Sequence, residues 1–214
     1  MREGVESMIL GISASGSNGG ISAAAVQSVL EASGLSSTYV SAAGKQINGC
    51  TGCLRCAGDN VCKVDDDWLE IGALMTKADA IVFGAPNYYG MVNAIGHAIW
   101  ERTYSFRHNS RFSLAGKLGV IVGTNDESKQ SVIPFVRLML AENKMAHVGE
   151  MTVQGYAPCY RCGYGHHCVV GSVVSDHGFL DCIEDEHLPD HFSTQCSATE
   201  RATRLGMVLK GILG

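Results

Sequence analysis

The sequence predicts an α/β protein built on a doubly wound, five-stranded parallel sheet. Five strand-like apolar runs alternate with five helix-like segments along the 214 residues, the pattern that parallel sheets with crossover helices produce. The central runs are apolar without interruption, as expected of strands covered on both faces. Loops of small and polar residues follow the strands, where an open sheet of this kind binds its ligands.

The first strand is "SMILGIS" (Ser7–Ser13), which ends in a Gly/Ser-rich loop. "SAAAVQSVLEA" (Ser22–Ala32) follows as a helix, with Ala25, Val26, Val29 and Leu30 on one face. "STYVSAA" (Ser37–Ala43) is the second strand, and a cysteine-rich loop over about residues 48–64 comes next. In "DDDWLEIGALMTKA", Asp65 or Asp66 is expected to cap a helix whose buried stripe is Trp68, Ile71, Leu74 and Met75. "ADAIVFGAP" (Ala78–Pro86) is the clearest buried strand. "NAIGHAIWERTY" reads as a helix, "KLGVIVGT" as a strand, and "SVIPFVRLMLAEN" as a helix with Pro134 near its start. "HVGEMTVQG" is a fifth, weaker strand. From about residue 156 to 195 the chain has no periodicity and is rich in Gly, His and Cys. A loop that long in a compact domain is usually functional or disordered. "SATERATRLGMVLKGIL" closes the chain as an amphipathic helix, with Ser197 or Thr199 as its cap.

Composition narrows the function classes. A hydrophobic content of 46% over this length supports one core, hence a single domain over 1–214. The formal charge is -5 and no Lys/Arg run stands out, so neither nucleic acid nor an anionic membrane surface is an expected partner. No apolar stretch approaches the roughly 20 residues of a membrane span, and "MREGVESMILGIS" does not read as a signal peptide. Nine cysteines, an odd number without a secretory signal, point to a reducing cytoplasm where thiols bind metal or do redox chemistry.

Three loops carry ligand-binding chemistry. In "SASGSNGGIS" (Ser13–Ser22), backbone N–H groups and serine hydroxyls can wrap a phosphate at a helix N-terminus. The loop matches neither the Walker pattern nor G-x-G-x-x-G, and a flexible turn with a serine cap is the competing reading. In "GAPNYYGMV" (Gly84–Val92), Pro86 and Gly90 constrain the backbone while Tyr88 and Tyr89 offer flat faces to an aromatic cofactor; tyrosines simply capping a sheet are the alternative. "GTNDES" (Gly123–Ser128) supplies Thr124 and Asn125 to a ring or ribityl chain.

The segment "NGCTGCLRCAGDNVCKVDDD" holds Cys50, Cys53, Cys56 and Cys62 in the spacing C-x2-C-x2-C-x5-C. Zinc sites usually join two separated C-x2-C knuckles. C-x2-C-x2-C is instead the spacing by which a short loop wraps three corners of a 4Fe–4S cube. A generic ferredoxin run is disfavoured because Lys63, not proline, follows Cys62. Zinc or free thiols stay open as alternatives. A second group, "PCYRCGYGHHCVVG", contributes Cys159, Cys162 and Cys168, with Cys182 and Cys196 beyond. Three of these with Cys182, or with a histidine of the His166–His167 pair, are candidates for a second cluster or metal; a reactive thiol pair or buried thiols are the plainer reading. His97 and His147 lie in helix and strand patterns and are expected to be structural.

On "ILGISASGSNGG", "CTGCLRC…CKVDDDW" and "ADAIVFGAPNYYGMVNAIGHAIWER", the chain resembles the flavodoxin-like NAD(P)H-dependent FMN reductases, and within them the iron–sulfur flavoproteins. The resemblance covers most of residues 8–149 and the last helix. It implies a flavodoxin-like sheet, with Ser15, Ser17, Gly20 and Ser22, beside Ser13, around the FMN phosphate. Pro86, Asn87, Tyr88, Tyr89 and Gly90 would border the isoalloxazine. The same cysteine spacing in the resembled family implies a 4Fe–4S cluster. Gly16 and Ser17 stand where those proteins commonly have proline and a basic residue, which shifts phosphate binding toward backbone and hydroxyl groups. Glu101-Arg102 replaces a frequent Asp-Arg. The expected function is an FMN- and 4Fe–4S-containing oxidoreductase taking electrons from ferredoxin or NAD(P)H and passing them to a small-molecule or protein acceptor. A plain NAD(P)H-dependent FMN or quinone reductase with zinc or redox thiols, and a non-catalytic redox sensor, are the rivals. A homodimer or homotetramer is implied by the resemblance alone.

Overall fold

A computed structural model describes residues 7–125 and 131–214. Its strands are β1 (Met8–Ser13), β2 (Ser36–Ser41), β3 (Ala80–Tyr88), β4 (Met91–Val92), β5 (Leu118–Asn125) and β6 (Ala146–Gln154). Five of them form a parallel sheet in the order β2-β1-β3-β5-β6, and β4 folds back antiparallel on the end of β3. The strand order reverses between β1 and β3, which places the ligand crevice at their carboxyl ends.

The helices are α1 (Ile21–Ser33), α2 (Trp68–Lys77), α3 (Ala94–Glu101), α4 (Ile133–Glu142), α5 (Ser172–His177) and α6 (Cys196–Leu213). The alternation along β3 divides the core. Ile81 and Phe83 join Trp68, Ile71, Ile99, Trp100 and Leu140 on the α2–α3–α4 face, while Ala80 and Val82 join Val26, Val29, Leu205 and Leu209 on the α1–α6 face. Each such side chain, fully buried, stabilises the fold by about 1.5–3 kcal/mol. Helices α1 and α6 touch at Gly206, where a Cβ would stand 2.6 Å from the Cβ of Ala32.

The weak fifth strand is a full partner, paired with β5 over its length apart from a register shift between Gly119 and Val120. Of the two expected helix caps, the one on α2 forms and the one on the last helix does not. Helix α2 starts after Asp67, whose carboxylate accepts from Gln46 N at 2.6 Å, while Asp66 Oδ1, as expected of a cap, accepts from the first helical N–H, Trp68 N, at 3.2 Å and also holds Arg102. Helix α6 starts at Cys196 after Gln195, so Ser197 and Thr199 lie inside its first turn. The helix expected through Tyr104 tightens into a 3₁₀ turn from Arg102 to Phe106. His97 stacks on Phe135 with ring centroids 4.8 Å apart and His147 pairs with Glu150 at 3.2 Å, both structural contacts as expected. The Gly/His/Cys-rich region holds α5 and several 3₁₀ turns. Of the loop Gly123–Ser128, Asp126, Glu127 and Ser128 lie outside the described residues, as do Met1–Glu6. No helix among the described residues is long and apolar enough to cross a membrane.

Candidate functional site

At the switch point the ends of β1, β3, β5 and β6 surround a cavity of about 490 Å³. Of the residues expected around a flavin, Ser15, Ser17, Gly20, Ser22, Pro86, Asn87, Tyr88, Tyr89 and Thr124 line it. The N-terminus of α1 opens beside the serine loop with no side-chain cap, so its first N–H groups are open to an anion. A Cβ on Gly20 would stand 3.0 Å from Ser17 Oγ and 3.8 Å from Ser15 Oγ, filling the cradle those hydroxyls form. Ser22 and Thr124 share a buried 2.7 Å hydrogen bond at the floor. Ser13 is fully buried and its Oγ accepts from Ser15 N at 3.4 Å, so it shapes the loop from beneath. Asn87 Oδ1 accepts from Gly90 N at 2.8 Å, and its amide donates to Asn125 Oδ1 at 3.3 Å. That pairing fixes the β3–β4 hairpin, where Tyr89 is wholly exposed and Gly90 takes φ 80°. Pocket chemistry, polar cradle and flat tyrosines suit FMN.

The four clustered cysteines line one small cavity of about 60 Å³ with Arg102, Tyr104 and Ser105. Cys56 is buried, Cys62 half-buried, Cys50 and Cys53 exposed. Among the described residues no three His, Cys, Asp or Glu side chains form a ready ion site; the thiols ring the cavity instead. The loop's two ends are zipped together by Asp66. Its carboxylate accepts from Asn48 N at 2.9 Å and from both arms of Arg102 at 2.8 and 3.2 Å, while Arg102 also donates to the carbonyls of Asn48 and Val64. Burial pushes the Asp66 carboxyl up, but its bonds to Arg102, Asn48 and Trp68 outweigh that and hold it below the usual range. Arg102 is 1% exposed, lies 4.9 Å from the Trp68 ring, and its Nε is buried with no hydrogen-bond partner among the described residues. An unpaired buried donor costs about 1–3 kcal/mol, and thiolates or sulfides in the adjoining cavity would accept from it. The donor set therefore fits a cluster.

Farther out, Asn60 exchanges two hydrogen bonds with the His108 backbone at 2.7 and 3.1 Å, and His108 Nε2 lies 3.3 Å from Cys56 Sγ. Glu101 accepts from Cys50 N at 2.9 Å. Hydrogen bonding from Arg55 lowers the Cys53 thiol to about 7, and burial raises that of Cys56. The cysteine loop packs on α3 and the turn after it, and the two cavities share no lining residue.

The second cysteine group lines neither cavity. Cys162 Sγ donates to the Cys159 carbonyl at 3.4 Å, Cys168 is half-buried, and Cys182 bonds to Glu184 at 3.5 Å, which raises its thiol. Sequence reasoning missed Gly155, Tyr156, Ala157, Pro158 and Arg161 on the wall of the strand-end cavity. They follow β6 directly, so the strand-end rule would have found them had that strand been trusted. A second cavity of about 460 Å³ shares Gly155, Tyr156 and Ala157 and contains Tyr160 and Asp176, joined at 2.7 Å.

The family model described as NADPH-dependent FMN reductase matches residues 7–156. An iron-sulfur flavoprotein of Methanocaldococcus jannaschii is 33% identical over 148 residues, 66% of this chain and 76% of that one. One from Archaeoglobus fulgidus is 30% identical over 131 residues, covering 60% of this chain and 59% of its own length. One from Methanosarcina thermophila is 27% identical over 117 residues, covering 50% and 61%. The chain thus spans about three fifths of the latter two relatives. Among solved structures, RosB with a bound flavin-phosphate intermediate superposes with TM-score 0.58 at 14% identity, covering 97% of this chain and 82% of that one. A flavodoxin from the domain Archaea gives 0.50 at 12%, covering 96% and 98%, and at such identities the likeness shows the fold. The chain is a flavin-dependent oxidoreductase that belongs to the NADPH-dependent FMN reductase family.

Proposed function

We propose that this single-domain chain binds FMN at the β1–β3–β5 crevice and a 4Fe–4S cluster at Cys50, Cys53, Cys56 and Cys62, and relays electrons between them. One observation carries the reading: all four thiols line a single cavity whose wall holds the unpaired, buried Nε of Arg102. FMN supplies a centre that exchanges one or two electrons, and the cluster one that exchanges single electrons. Ser15, Ser17, Gly20 and the α1 N-terminus hold the phosphate. Ser22 and Thr124 form the floor, and Pro86, Asn87, Tyr88, Tyr89 and Gly90, with Asn125 behind, border the ring. The adjoining cavity at Tyr160 gives a donor or acceptor molecule room beside the flavin.

Donors are NAD(P)H or ferredoxin, and the acceptor is a small molecule or redox protein in the cytoplasm. The reading takes the chain as a homodimer or homotetramer, an assembly in which one subunit's cluster can serve another's flavin. The exposed Tyr88, Tyr89 and Met91 of the hairpin support such an assembly.

Anaerobic purification with FMN, iron and sulfide counted per chain tests the reading, with about one FMN and about four of each inorganic atom expected. Iron near eight would add a second cluster at Cys159, Cys162, Cys168 and Cys182, against which the carboxylate at Cys182 weighs. Colourless, sulfide-free protein that still turns over NADPH with FMN would leave the plain reductase; FMN without turnover would leave a sensor.

A further inference from the structure

We propose that Arg161, delivered by the cysteine-rich insertion, is the counter-charge of the flavin phosphate and makes the site prefer FMN to riboflavin. The inference rests on the FMN reading above and adds to it the group that recognises the phosphate.

The phosphate loop Ser13–Ser22 contains no Lys or Arg. The first turn of α1 carries no charged side chain, so the helix offers only its terminal half charge. A phosphate monoester brings about −1.5 to −2 charges at neutral pH. Among the described residues lining the cavity, Arg161 is the one that is charged. It lies outside the segment matched by the family model, which stops at residue 156.

The insertion is built to hold it there. A 3₁₀ turn, Pro158–Tyr160, ends at Arg161, whose N–H donates to the Pro158 carbonyl at 2.9 Å. Tyr160 is 8% exposed and anchors the turn inward through its 2.7 Å bond to Asp176. The Arg161 guanidinium lies over the Tyr156 ring, 5.0 Å from its centroid, and donates to the Tyr156 hydroxyl. Among the described residues it has no carboxylate partner. Its planar fork keeps further N–H donors for a phosphate.

The test measures dissociation constants of FMN and riboflavin for the apoprotein by flavin fluorescence, in wild type, Arg161→Gln and Arg161→Lys. A charge-assisted contact predicts FMN weakened about 10- to 100-fold in Arg161→Gln, with riboflavin changed less than about twofold, so riboflavin binding also reports that the site is folded. Arg161→Lys should recover part of the loss. Adding Ser17→Arg to Arg161→Gln should recover part of it too, since Ser17 lines the same cavity. Raised salt should weaken FMN more in wild type than in Arg161→Gln. Equal losses for both flavins would overturn the proposal in favour of a ring or packing contact. Unchanged flavin affinities with a raised KM for NADPH would assign Arg161 to the donor instead. Wild type that binds neither flavin would defeat the flavin site itself.

Discussion

Asp66 is the residue on which the cysteine loop depends most, and Asp66→Asn tests this directly. The substitution keeps the shape but removes the charge facing a 0% exposed Arg102 side chain, leaving a buried cation without its anion. Losing one partner of a buried pair typically costs about 3–5 kcal/mol, a large part of the roughly 5–15 kcal/mol that holds a domain together. With a urea slope of about 2–3 kcal/mol/M, the midpoint should fall by about 1–2.5 M, read by tryptophan fluorescence because Trp68 packs against Arg102. The deficit should depend on pH. The folded carboxyl titrates below its unfolded value of about 3.9, so its contribution is full above that value and disappears as pH falls through the folded pKa. Wild type and variant should therefore converge in acid. Arg102→Gln added to Asp66→Asn removes the stranded cation and should restore part of the loss. Because Asp66 joins both ends of the loop, Asp66→Asn should also shed iron during anaerobic gel filtration while retaining FMN. A midpoint shift under about 0.3 M with iron retained at the wild-type level would refute the role assigned to the clasp.

Other outcomes follow from single sites. Cys53→Ser should lose iron and keep FMN, measured by metal analysis and flavin absorbance, since the two cavities share no residue; joint loss on a folded chain would contradict their independence. In iron-free protein, iodoacetamide should alkylate Cys53 with a midpoint near pH 7, and Arg55→Ala should move that midpoint upward, because the lowered thiol owes most to Arg55. Gly84→Ala should lower thermal stability, because the new Cβ would stand 2.5 Å from Val26 Cγ2 and 3.3 Å from the Ser22 carbonyl. Overpacking of this kind costs about 1–3 kcal/mol, or roughly 2–12 °C for a chain of this length, and an unchanged melting temperature would show that α1 yields freely.

The sheet was legible because apolar runs such as Ile81–Ala85 need helices on both faces, and they have them. That the loops after the strands converge was legible from small residues at strand ends, and most of the named residues do line one cavity. Local propensity placed Asp66 correctly at the start of α2, but its second role, holding an arginine 36 positions away, is a contact no local pattern encodes. The contribution of Tyr156 and Arg161 was hidden in a stretch without periodicity. The burial and bonding that hold its turns come from Tyr160, Asp176 and neighbouring side chains brought together only by folding.

Most contacts that close the cysteine loop involve no sulfur, and for the cluster proposed above this has a consequence for maturation. Small zinc modules stay unfolded until metal arrives, because the ion supplies their folding energy. Here the receptacle is braced before loading, by a carboxylate, a guanidinium and an asparagine clamp that need no iron. On the proposed cluster reading, iron would arrive at an already folded chain, from the side where Cys50 and Cys53 face solvent while Cys56 is buried.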